Sequence, residues 1–219
     1  MSIFINFWSG AAGRPSQVLA SQEPVLAPPL IFMPNSDKII LDLCGGTGAW
    51  SKPYRDAGYD VRLITLPDND VRTYTPPDKV VYGILAAPPC NEFSIAKGSR
   101  PRDFDSGLEV VLACFRIIWK CQVKSKLRFW AMENPVGFLR RFIGIPHFTF
   151  KLWEFGDNRI KPSDLWGYFN DPVKIVFTKP HLGLDLIQYG PSNLSYKEQS
   201  IWRQTTQPGF ARAFFKANR

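Results

Sequence analysis

Between Lys38 and Asn134 the chain alternates short apolar runs with amphipathic or turn-rich stretches. KIILDLC at 38–44 is a compact apolar run that ends in Gly-Gly-Thr-Gly, the pattern of a buried strand turning tightly into a helix. VRLIT at 61–65 and VYGILAA at 81–87 are further runs of strand length, and LRFWAMEN at 127–134 reads as another buried strand. Leu108, Val111, Leu112, Phe115, Ile118 and Trp119 recur at helical spacing and predict one helix with a single apolar face. Strands alternating with helices predict an α/β chain with an open, largely parallel sheet and helices on both faces. Such sheets hold their ligands outside the carboxyl ends of the strands.

Residues 1–37 lack this periodicity. They are rich in Gly, Pro, Ser and Ala and read as an N-terminal arm, with one short helix near Gln17–Gln22. The rest, 38–219, reads as one domain. No apolar run approaches the roughly 18–20 residues of a membrane-spanning helix, and no basic residue precedes the apolar start MSIFINFW, as in a secretory leader. The expectation is therefore a cytoplasmic protein without a membrane partner.

The four cysteines, Cys44, Cys90, Cys114 and Cys121, form no CxxC pair, and the two histidines, His147 and His181, stand far apart. No structural metal is expected. Lys and Arg number 27 against 19 Asp and Glu, a formal charge of +8, which makes nucleic acid one candidate partner.

Three motifs close the predicted strands. Asp42-Leu43-Cys44-Gly45-Gly46-Thr47-Gly48 suits a nucleotide-type cofactor pocket, because glycines let the backbone approach a ligand; a plain tight turn is the alternative. Ala87-Pro88-Pro89-Cys90-Asn91-Glu92-Phe93-Ser94 sets a thiol on a proline-stiffened loop, as a nucleophile requires, against the alternative of an inert buried cysteine. Glu133-Asn134-Pro135 sets a carboxylate at the sheet rim, as a proton holder or as a helix cap or salt bridge. Cys90 and Glu133 both end strands, so one pocket can hold both.

In this order the motifs resemble the cytosine carbon-5 methyltransferase family, in particular the short members found in bacteriophages and prophages. DLCGGTG is similar to the family's S-adenosylmethionine loop, APPCNEFS to its nucleophile loop and MENP to its Glu-Asn motif. Asp70-Val71 resembles the pair that meets the cofactor's adenine, and Phe155–Lys161 more weakly resembles a basic segment lying against the target base. The resemblance spans about 38–166, with the C-terminal TTQPGFARAFFKANR supplying a last cofactor-side helix.

The resemblance implies a Rossmann-like methyltransferase fold and methyl transfer from S-adenosylmethionine to carbon 5 of cytosine in DNA. It implies Cys90 as nucleophile, Glu133 as its acid partner, and Arg159 or Lys161 holding the flipped base. Asp42, Cys44, Gly45, Gly46, Thr47, Gly48, Asp70, Val71 and Pro88 would surround the cofactor. Lys97, Arg100 and Arg102, just after the nucleophile loop, are candidate phosphate contacts together with Lys161. The run Arg116, Lys120, Lys124, Lys126 and Arg128 could also meet phosphates, but Lys120–Lys126 reads rather as a solvated helix surface.

Two features depart from the family. VRLIT is followed by Leu66-Pro67 where the family carries an acid for the cofactor ribose, and the first acid is Asp68. About 50 residues follow Trp166, so any recognition region within roughly 140–205 is small, specificity is expected to be relaxed, and a separate recognition partner is an option. The other readings are the same chemistry on RNA or a free pyrimidine nucleotide, and a non-catalytic nucleic-acid-binding protein on this scaffold.

Overall fold

The computed structural model describes residues 33–124, 127–179 and 193–219. The arm through Phe32 with the helix expected at Gln17–Gln22, Lys126 and His181 lie outside the described residues. Among the described residues six strands form one sheet: β1 (Ile39–Leu43), β2 (Asp60–Ile64), β3 (Val81–Ala86), β4 (Phe129–Pro135), β5 (Phe148–Lys151) and β6 (Pro162–Tyr168), in the order β2-β1-β3-β4-β6-β5. The helices are α1 (Lys52–Asp56), α2 (Phe104–Lys124), α3 (Arg140–Ile143), α4 (Tyr196–Gln204) and α5 (Pro208–Ala217).

β1 sits between β2 and β3, and every residue of IILDL is buried, the behaviour of a strand covered on both faces. Its side chains divide between two cores. Ile39, Leu41 and Leu43 pack with Val111, Cys114, Ile117, Ile118 and Cys121 of α2. Ile40 packs on the other side with Trp50, Tyr54 of α1 and Phe210 and Phe214 of α5. Each fully buried Ile or Leu contributes roughly 2 kcal/mol to stability. Helices therefore cover both faces, as expected.

The expected sheet is corrected in one respect: it is mixed. β2, β1, β3 and β4 are mutually parallel, but β6 is antiparallel to both β4 and β5. The link from β5 to β6 holds only a 3-10 turn, Leu152–Phe155, and a parallel pair needs a crossover of about a dozen residues or more. Neither strand has the unbroken apolar run of β1, so the hydrophobic pattern did not mark them. The face of α2 is also rotated from expectation. Leu112 and Trp119 are 58% and 69% exposed, while Cys114, Ile117 and Cys121 take the sheet side.

The antiparallel strand shapes the rim of the sheet. Because β6 begins where β4 ends, it delivers Lys161 and Ser163 to the rim that already carries Glu133. α5 returns against the same half of the molecule. Asp157 accepts hydrogen bonds from the Gly209 and Phe210 amides at 3.0 and 3.1 Å, and Phe210 stacks on Phe150 with ring centroids 4.2 Å apart.

Candidate functional site

The glycine loop follows β1. Gly46 and Gly48 adopt φ of 56° and 69°, the left-handed region open to glycine, and Cys44 shares it at 56°. A Cβ at Gly45 would overlap the Asp42 carboxylate, so the loop closes directly over that side chain. Asp42 is fully buried. Ser51, at the start of α1, donates to its Oδ2 at 2.5 Å, while Oδ1 has no hydrogen-bond partner among the described residues. Burial raises the Asp42 carboxyl to about 6, against the opposing pull of the Ser51 hydrogen bond and the Arg55 charge.

The Cys90 loop follows β3 and is fastened at several points. The Ala87 amide donates to Leu43 O at 2.9 Å, and Asn134 Nδ2 donates to Pro88 O at 3.0 Å. Cys90 O accepts from the Phe93 and Ser94 amides, and Phe93 O accepts from the Phe138 amide at 2.8 Å. Phe93 is itself fully buried, and a Cβ at Gly137 would overlap its carbonyl. The thiol thus sits on a loop held from both flanks.

Burial pushes the Cys90 thiol above its ordinary value. The Lys161 ammonium pulls it back and the Glu133 carboxylate adds to the rise. Lys161 Nζ lies 3.6 Å from Glu133 Oε1, and Ser163 Oγ donates to that same oxygen at 2.6 Å. Cys90, Glu133, Lys161 and Ser163 therefore form one electrostatic group, contributed by the ends of β3 and β4 and the start of β6. A thiol, a carboxyl and an ammonium in one partly enclosed group can carry nucleophilic addition with proton transfer.

Arg159 is buried within electrostatic reach of Glu133, and its hydrogen bonds run to the backbone at the end of α4. It is 3% exposed, its Nη1 donates to Trp202 O at 3.0 Å and to Thr205 O at 3.5 Å, and its Nη2 donates to Arg203 O at 3.2 Å. Its guanidinium also stacks over Trp202 at 3.8 Å. It fastens the carboxyl end of α4. Burial lowers its pKa to about 10, with Asp157 and Glu133 favouring the cation.

Asp70 and Val71 lie past β2. Val71 is core, and the Asp70 carboxylate is clasped by exposed Arg72, with Nη2 at 2.6 Å. Among the basic residues beyond Cys90, Lys97 pairs with Glu92, Arg100 donates to Lys97 O at 3.0 Å, and Arg102 donates to Glu92 O at 2.7 Å. Arg102 and Arg141 both lie over the Phe138 ring, at 4.5 and 4.9 Å. Arg141 extends this basic rim and carried no motif signal.

S-adenosylmethionine can be tested against these residues. A Cβ at Gly46 would meet nothing within 4 Å, so the loop tip opens to free space above a buried carboxylate with a spare oxygen. That combination fits the cationic, methionine end of the molecule. The end of β2 supplies no buried acid for the ribose, since Leu66 and Asp68 are both exposed.

The residues missed from sequence were Ser51, Asn134 as a brace, and Ser163. Ser51 and Ser163 carry no motif, and each acts through a partner that only the fold brings near. No group of three His, Cys, Asp or Glu among the described residues can hold a metal ion, and no described helix is long and apolar enough to cross a membrane. No protein-family model matches the chain, and no curated protein is significantly similar to it.

Proposed function

We propose that the protein is a cytosine carbon-5 methyltransferase of Rossmann-like fold that acts on DNA with relaxed sequence specificity. The observation that carries this reading is the joining of Cys90, Glu133 and Lys161 at the ends of adjacent strands, beside a glycine loop over buried Asp42. The resemblance of the same motifs to that family supports it.

Carbon 5 of cytosine is a poor nucleophile until a group adds to carbon 6. The Cys90 thiol loses its proton to solvent base and its sulfur forms that bond, while the ring electrons shift through carbon 4 towards nitrogen 3, which takes a proton from Glu133. Lys161 favours the Cys90 thiolate and lies 3.6 Å from Glu133 Oε1. S-adenosylmethionine, when bound, supplies a sulfonium-activated methyl group to the carbon so activated. Asp42, Gly45, Gly46, Thr47 and Gly48 would hold its methionine end, and Asp70 and Val71 its adenine. Loss of the carbon 5 proton to solvent base then expels the Cys90 sulfur, with Glu133 recovering its proton from nitrogen 3. Arg100 and Arg141 meet phosphates, which gives sequence-tolerant, salt-sensitive binding. The target base leaves the stack to reach the pocket.

The test is transfer of labelled methyl from S-adenosylmethionine to duplex DNA, single strands, tRNA and dCMP. Transfer to DNA that disappears in Cys90→Ala and falls by about 100-fold in Glu133→Gln supports the reading. Transfer that survives Cys90→Ala overturns the mechanism, transfer confined to tRNA or dCMP moves the substrate, and DNA binding without any transfer moves the protein to a non-catalytic role.

A further inference from the structure

We propose that Ser163 is a positioning residue that decides which oxygen of Glu133 carries the exchangeable proton; this rests on the reading of Cys90 and Glu133 as the pair that activates the pyrimidine. In the antiparallel ladder Glu133 lies opposite Leu165 and Pro135 opposite Ser163. Ser163 and Glu133 are thus diagonal neighbours on one face, close enough for their side chains to meet. Ser163 is 1% exposed and its Oγ donates to Glu133 Oε1 at 2.6 Å.

Lys161 Nζ makes its nearest approach to that same Oε1, at 3.6 Å. An ammonium has three donors and no acceptor, so a proton on Oε1 would face a group that can only repel it. Oε1 is therefore the acceptor, and a proton that Glu133 hands to the ring is carried on Oε2. As the bond from Cys90 sulfur to ring carbon 6 forms, the proton on Oε2 passes to ring nitrogen 3. The negative charge left on Glu133 is then met at Oε1 by a donor already in place, with no reorganisation at the moment of reaction. Without the Ser163 hydroxyl the carboxyl turns about its last torsion, and either oxygen can present itself to the ring.

The experiment measures covalent adduct formation on DNA containing 5-fluorocytosine, in the presence of S-adenosylmethionine, for the full chain and three variants. Ser163→Ala is expected to slow adduct formation by about 10- to 100-fold while leaving the KM for DNA within about twofold, and Ser163→Thr, which keeps the hydroxyl, to restore the rate to within about threefold. Ser163→Cys, close in shape but a weak donor, shows the same loss and serves where the alanine variant does not fold. Wild-type rates in the alanine or cysteine variant overturn the proposal, and so does an equal loss in the threonine variant. If the wild type forms no adduct, the functional reading fails instead. The claim about Ser163 is then decided by crystal structures, in which a Glu133 carboxyl unmoved by Ser163→Ala overturns it and a rotated one upholds it.

Discussion

Asp42 and Asp164 are both fully shielded from solvent, in opposite halves of the sheet, and their surroundings treat them in opposite ways. Asp164, on antiparallel β6, has both oxygens bound: Arg140 reaches each at 2.6 Å, and Thr149 donates to Oδ1 at 2.7 Å. Asp42, on parallel β1, receives one hydrogen bond from Ser51 and keeps an oxygen without a partner among the described residues. One half uses buried charge as a fastener, at the base of the connection that aims Lys161 and Ser163. The other leaves a buried charge under-satisfied beneath its glycine loop, at a standing cost to stability. Proteins break the rule of polar satisfaction mostly where a site needs it broken.

The largest effect should follow from breaking the satisfied pair. Arg140→Ala leaves Asp164 buried without its cation, and a loss of about 3 kcal/mol is expected, at the low end for such pairs because the Arg140 side chain is 41% exposed. Urea denaturation at pH 7 reads it, and a loss below about 0.5 kcal/mol would mean that the bidentate geometry contributes little.

Asp42→Asn should act in the opposite direction. A carboxyl raised from 3.8 to about 6 contributes stability fully present below its unfolded value and lost as pH rises through about 6. The variant should therefore match the wild type near pH 4 and exceed it by roughly 2 kcal/mol at pH 7, with most of the divergence between pH 4 and 6. Parallel stability curves for the two proteins over that range would show that Asp42 is not held at a cost.

The smallest effect sharpens the link between the halves. Lys161 draws the Cys90 thiol down against its burial, so Lys161→Gln should push it further up. Alkylation of Cys90 at pH 8, followed by peptide mass spectrometry, should slow by about threefold. An unchanged or faster rate would break the electrostatic connection between β6 and the Cys90 loop.

Much of the parallel half was legible in the sequence, because IILDL and VYGILA are apolar runs whose ends carry motifs that need no tertiary context. Cys90 and Glu133 were placed near strand ends for the same reason. The antiparallel half was not legible. FTFK is short, and PSDLWGY opens on a proline and carries an aspartate, so neither strand stands out by periodicity. Asp164 is buried only because Arg140, 24 residues earlier, comes back to meet it. Ser163 matters only through register with β4. Arg159 was read from a weak motif, and the hydrogen bonds that hold it run to backbone carbonyls 43 to 46 residues later, which no spacing rule reveals. Leu112 and Trp119 satisfied the helical period while Cys114 and Cys121 took the core, since a small apolar cysteine packs closely against a sheet.

The central claim is that Cys90 adds to carbon 6 of a cytosine while Glu133 supplies a proton, and a trapped intermediate tests it most directly. The protein is mixed with S-adenosylmethionine and duplex DNA containing 5-fluorocytosine, whose fluorine blocks loss of the proton that normally releases the enzyme. The account predicts a denaturant-resistant complex joined through the Cys90 peptide, formed by the wild type and absent in Cys90→Ala. A complex joined through another residue, or methylated DNA produced by Cys90→Ala, would contradict it.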